Sequence, residues 1–258
     1  MNKRQFLASS ITAAVGSAAS SLVPQRAAAQ AACVQAQAPA TFVLVHGAWC
    51  GGFVYDGVAA RLRAIGHRVY TPSLTGLGDR THLMNASINL TTHVNDVLSL
   101  LRFEELERVV LAGHSYGGMV ISAVVESAAD SIASLVYLDA IVPELPRRGP
   151  PPGAEALRPG DVLPIDEAFA LAIGIPREDM WKYSPHPINT FTEQLELTGA
   201  HSRVSKRVFA WANQWPNTES SFRALQEDPE WATYEVAARH MLMFDAPDEV
   251  VRILESAI

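Results

Sequence analysis

The run Gly113-His114-Ser115-Tyr116-Gly117-Gly118 constrains this chain more than any other feature. It follows a β-branched run at residues 108–112 and opens a helical pattern at residues 115–127. A Gly-x-Ser-x-Gly sequence between a strand and a helix marks a sharp turn that lifts a serine hydroxyl clear of the chain. The turn strains the serine backbone, so small residues two before and two after it let strand and helix approach closely. A glycine-rich nucleotide loop is the competing reading. No G-x-G-x-x-G and no P-loop lysine accompanies the turn, so Ser115 reads as a nucleophile.

The surrounding pattern alternates short apolar runs with helical stretches, which implies a parallel sheet. Strands are expected at residues 41–46, 67–71, 108–112, 133–138, 206–212 and 232–237. Helices are expected at 53–65, 91–101, 115–127, 219–225 and 247–257. The fold class is therefore α/β, with a six-stranded, mostly parallel, doubly wound sheet whose ligands bind at the carboxyl ends of the strands. The alternation breaks after the fourth strand, where seven prolines fall in residues 143–164. An irregular stretch inside a compact domain is expected to cover a site, so residues 143–204 read as a cap or lid.

Charge divides the chain. Residues 1–33 carry +3 and no acid, whereas residues 34–258 carry −10. The head runs from Lys3-Arg4 through a weakly apolar stretch to Ala27-Ala28-Ala29, the order of an export signal with a small-residue cleavage site. Asn2-Lys3-Arg4-Gln5-Phe6-Leu7 is similar to a twin-arginine signal with lysine in the first arginine position. Residues 1–32 are assigned to an export leader and 33–258 to the folded domain, in a periplasmic or secreted protein. With 18% charged residues and no long basic block, a nucleic-acid surface is not expected. Neither is an integral membrane segment. Cys33 and Cys50 cannot build a disulfide scaffold, and their pairing is left open, as is a homodimer. Scattered histidines with no H-E-x-x-H or paired-Cys spacing imply neither metal nor cofactor.

A serine nucleophile needs a base and an oxyanion site. Where a serine sits on this kind of turn, chain order runs Ser, acid, His, which selects His240, between the last strand and the last helix. His186 and His201 are weaker candidates. The backbone N–H of Ala48, in the loop after the first strand, and that of Tyr116 are the expected oxyanion donors. His46 is expected to hold that loop by hydrogen bonds.

Residues 41–258 resemble the α/β-hydrolases, and within them the plant methyl esterase and hydroxynitrile lyase group and related bacterial carboxylesterases. The resemblance rests on Phe42-Val43-Leu44-Val45-His46-Gly47-Ala48, on the Ser115 turn with Met119, on His240-Met241-Leu242-Met243, and on Thr75-Gly76-Leu77-Gly78-Asp79-Arg80. It implies hydrolysis of a small-molecule carboxylic ester through an acyl-enzyme. Hydroxynitrile lyases carry a lysine directly after the catalytic histidine. Met241 stands there, as in the esterases, and argues against cyanohydrin cleavage.

One position departs from the group. The stretch 206–215, where the triad acid usually follows a strand, holds no carboxylate, and Trp215 stands about where the acid is expected. Other α/β-hydrolases take the acid from the preceding strand, which here ends at Asp139. Asp139 is therefore the expected acid, with Glu219 a weaker alternative. Trp49, Phe169, Trp181, Tyr183, Trp211 and Trp215 are expected to line a pocket for an apolar or aromatic group. A lactonase, a C–C hydrolase, a lyase or a catalytically weak binding protein on the same frame stays open.

Overall fold

Continuous apolar runs leave a strand no polar face, so it must be covered on both sides. The computed structural model describes residues 38–143, 145, 153–194 and 196–258, and the leader expected at 1–32, with Cys33, lies outside them. The runs form Thr41–Val45 (β1), Arg68–Tyr70 (β2), Val109–His114 (β3) and Ile132–Leu138 (β4). Val162–Leu163 (β5) and His186–Pro187 (β6) make a separate antiparallel pair. Lys206–Ala212 (β7) and Trp231–Val236 (β8) complete the main sheet. Its order is β2-β1-β3-β4-β7-β8, with every neighbouring pair parallel.

Helices cover both faces: Asp56–Ala64 (α1), Leu90–Phe103 (α2), Gly117–Ala128 (α3), Glu167–Ile173 (α4), Asn189–Thr192 (α5), Glu219–Gln226 (α6), Leu242–Asp245 (α7) and Pro247–Ser256 (α8). Strand side chains alternate between faces. Val43, Leu111, Leu135, Tyr137 and Phe209 accordingly share one core with Val97 of α2, Val120 and Val124 of α3 and Phe222 of α6. Phe42, Leu44, Val110, Val136 and Val208 share the other with Val58 and Leu62 of α1 and Val250 and Leu254 of α8. The doubly wound arrangement thus follows from the two residue parities of each strand.

Two boundaries differ from expectation where the site lies. The third strand runs on to His114, and α3 starts only at Gly117. Ser115 and Tyr116 form the turn between them. Between β4 and β7 the chain leaves the sheet and returns with β5, α4, β6 and α5, short elements too brief to show a period. They are tied down by specific contacts. Glu193, just after α5, accepts hydrogen bonds from Thr91 N–H (2.7 Å) and Asn89 Nδ2 (3.0 Å) at the start of α2.

Candidate active site

Ser115 has φ +53°, in the left-handed region that a serine occupies only under strain. The glycines explain how the turn closes. A side chain at Gly113 would meet the Gly117 carbonyl at 2.6 Å, and one at Gly117 would meet the Val45 carbonyl at 2.6 Å. Gly118 backs directly onto the Ile141 carbonyl. The spacing in the motif is therefore a packing requirement between β3, α3, β1 and the strand end after β4.

Asp139 directly follows β4, one strand over, with φ +46° and its N–H donating to Ala210 (2.6 Å). Its side chain is fully buried. One carboxylate oxygen faces His240 Nδ1 at 2.6 Å. The other accepts from the Thr218 hydroxyl and from Ala212 N–H (3.4 Å). His240 lies between β8 and α7, and its Nε2 is 2.8 Å from Ser115 Oγ. A carboxylate acceptor fixes the proton on Nδ1, which leaves Nε2 bare to take the serine proton. The His240 carbonyl accepts from His114 Nε2 (2.9 Å). Burial, with His240 beside it, holds the His114 pKa well below the usual imidazole value, so His114 is a neutral strut.

The loop after β1 faces this group. Among the described residues, neither Ala48 N–H nor Tyr116 N–H donates a hydrogen bond to the protein. His46 braces the loop from beneath. Its Nδ1 donates to Gly47 O (2.8 Å) and its Nε2 accepts Leu74 N–H (3.0 Å), which requires the neutral ring. Burial brings its pKa down to about 4.

Aromatic rings trace an arc over the site. From the His240 ring it passes to Trp215 (5.7 Å), Phe169 (5.9 Å), Trp49 (5.7 Å), His186 (6.0 Å) and Tyr116 (4.8 Å). It begins on the histidine partner of Ser115 and ends on the residue after Ser115. A cavity of about 210 Å³, lined by Leu90, Met119, Ala123 and Leu197, runs beside α3 one and two turns past the serine.

Two expected pocket residues lie elsewhere. Trp181 is 80% exposed, because a 3-10 turn over Arg177–Lys182 points it outward beside Lys182. Trp211 is core: its ring packs on Phe222 (5.1 Å) and its indole N–H donates to the Trp215 carbonyl (3.1 Å). Tyr183 is half-buried and edge-on to Phe53 (5.3 Å). Glu219, the alternative acid, pairs on the surface with Arg223. His186 is buried between Trp49 N–H and Thr190, and His201 packs near Trp231. Neither reaches Ser115. Cys50 is buried with a free thiol. No group of His, Cys, Asp or Glu among the described residues could hold a metal, and none of their helices is long and apolar enough to cross a membrane.

Sequence reasoning missed Thr218 and His114. Thr218 follows the Trp215-Pro216 turn, and nothing in its spacing links it to Asp139, 79 positions earlier. His114 sits inside the motif, where any residue satisfies the pattern.

Residues 42–253 match the model of the "Alpha/beta hydrolase family". A carbendazim hydrolyzing esterase from Nocardioides sp. (strain SG-4G) is 40% identical over 237 residues, covering 83% of this chain and 98% of its own. Methylesterase 10 of Arabidopsis thaliana is 33% identical over 103 residues, 40% of this chain and 38% of its own. Among solved structures, an extracellular α/β-hydrolase from a Paenibacillus species superposes with a TM-score of 0.74 at 22% identity, covering 85% of this chain and 99% of that one. A serine on a strand-to-helix turn, a histidine after the last strand and a buried carboxylate between them thus occur in a chain that matches this family over most of its length. The chain belongs to the alpha/beta hydrolase family.

Proposed function

We propose that the protein is a serine carboxylic-ester hydrolase for esters with an apolar or aromatic group. The observation that carries the reading is the continuous line Ser115 Oγ, His240 Nε2, His240 Nδ1, Asp139 Oδ2, with steps of 2.8 Å and 2.6 Å. Ser115 attacks the ester carbonyl while Nε2 takes its proton. The N–H groups of Ala48 and Tyr116 receive the negative oxygen, and Asp139 stabilises the imidazolium. Nε2 then protonates the departing alcohol. Water, deprotonated by the same nitrogen, releases the acid from the acyl-enzyme.

Substrate character is read from the arc of Trp215, Phe169 and Trp49, which offers flat apolar surface and no charged head. Its relatives, among them a carbendazim hydrolyzing esterase, a pyrethroid hydrolase and several methylesterases, are in keeping with this choice. Residues 143–204 act as the cap that bounds the pocket. Residues 1–32 direct export, a reading tested by fractionating cells and sequencing the mature N-terminus.

The direct test is a substrate panel of p-nitrophenyl esters, methyl esters of aromatic acids, carbendazim, lactones and a cyanohydrin, each against wild type and Ser115→Ala. Ester turnover that disappears in S115A is expected. Undiminished turnover in S115A, or turnover of the cyanohydrin alone, refutes the assignment.

A further inference from the structure

Trp49 holds a left-handed backbone, φ +63°, immediately after the oxyanion residue Ala48. A bulky residue is strained there and persists only when its surroundings over-determine it. The surroundings are three groups of the segment between β4 and β7. Trp49 N–H donates to His186 Nδ1 (3.2 Å), Trp49 O accepts Ser184 N–H (3.0 Å), and the indole N–H donates to Leu163 O (2.9 Å). Every polar atom of the strained residue is thus satisfied by the cap segment, with none supplied by the sheet.

The protonation pattern at His186 is forced. A backbone N–H can only donate, so Nδ1 must carry a lone pair, and Nε2–H then donates to Thr190 Oγ1 (2.7 Å). The Thr190 hydroxyl in turn donates to Pro187 O (2.7 Å). The ring sits 4.8 Å from both Tyr116 and Phe191 and 6.1 Å from His93. Full burial, with His93 and His46 near by, keeps its pKa well below that of a free imidazole, in accord with this neutral form.

We propose that His186 is a positioning residue that docks the cap segment onto the oxyanion loop. By taking the Trp49 N–H at Nδ1 and packing on the Tyr116 ring, it holds the peptide that follows Ala48 and the side chain of Tyr116, the two residues whose N–H groups receive the oxyanion. The oxyanion site is therefore assembled jointly by the sheet and the cap, and the nucleophile alone does not complete it. This rests on the serine-hydrolase reading. It goes beyond that reading by giving an inert, buried histidine a share in transition-state stabilisation.

The test separates the two ring nitrogens. His186→Asn keeps an acceptor at the Nδ1 position, whereas His186→Gln keeps only a donor at the Nε2 position. Kinetics on a p-nitrophenyl ester are expected to show kcat of H186Q lowered about 10- to 100-fold, below the loss of about 10²–10³ for deleting an oxyanion donor outright. KM should stay within about threefold, and H186N should recover about tenfold of the loss. In the wild-type protein, 15N NMR of the His186 ring is expected to show Nε2 protonated and Nδ1 bare. Equal losses of kcat in H186N and H186Q, a loss confined to KM, or a protonated Nδ1 overturns the proposal. A wild-type protein that turns over no ester removes the hydrolase reading instead, and the ring tautomer still decides whether His186 holds Trp49.

Discussion

Replacing Asp139 by asparagine isolates the role of the acid, because the partners of this side chain dictate how an amide must sit. Ala212 N–H can only donate, and it does so to the carboxylate oxygen turned away from His240. The oxygen of the substituted amide must therefore take that place, and its NH2 must face His240 Nδ1. An NH2 opposite Nδ1 requires a lone pair there, which moves the ring proton to Nε2, opposite Ser115 Oγ. The base is then blocked by its own proton at the position now 2.8 Å from the nucleophile. Loss of the correct tautomer in a Ser-His-Asp triad costs about 10⁴ in kcat, or about 5.5 kcal/mol of transition-state stabilisation. KM should change little, because Asp139 is fully buried and has no surface for substrate. Initial rates on a p-nitrophenyl ester measure the effect, with thermal unfolding as a check on folding. Glu219→Gln, the control at the alternative acid, should leave kcat within about twofold. A D139N enzyme that folds and keeps more than about a tenth of wild-type kcat refutes this reasoning.

Other expectations follow from the same contacts. Gly118→Ala drives a methyl group into the Ile141 carbonyl, a backbone atom that cannot swing away, and should cost about 2–3 kcal/mol by urea unfolding. Unchanged stability would show that the strand end after β4 yields. His46 has a folded pKa of about 4 against 6.5 in a free chain, so the unfolded state binds a proton that the native state refuses. Its contribution is complete above pH 6.5 and is lost as pH falls toward about 4, a loss of about 3 kcal/mol that unfolding curves at pH 7 and about pH 5 should begin to reveal. Stability that rises on acidification contradicts the neutral brace. Trp181→Ala should shift stability by less than about 0.5 kcal/mol and leave ester kinetics unchanged, because the ring is exposed. A large rise in KM would return Trp181 to the pocket.

The sheet was legible because each strand is a continuous apolar run and each covering helix shows a face. All six expected strands form, with ends shifted by up to two residues. The segment between β4 and β7 was not legible in detail, since strands of two residues and helices of four and seven carry too little periodicity. Ser115 and His240 are readable from a motif and from chain order. Asp139 was expected only because residues 206–215 offer no carboxylate, and Trp215, standing about where that acid was expected, lies tilted 5.7 Å from the His240 ring. Aromatic identity alone gives no direction, so Trp181 and Trp211 resembled Trp49 until the backbone oriented them. His186 shows the same limit. Its partner Trp49 lies 137 positions away, and no local pattern announces a bond between segments so far apart in the chain.

The central claim is that Ser115 is a nucleophile activated by the fold. Its most direct measurement is the reaction of the full-length protein with a fluorophosphonate, read by intact mass and peptide mapping. One adduct per chain on Ser115 is expected, absent in Ser115→Ala and slowed by several orders of magnitude in His240→Ala. Labelling at another residue, no labelling of the folded wild-type protein, or labelling indifferent to His240 would contradict the account.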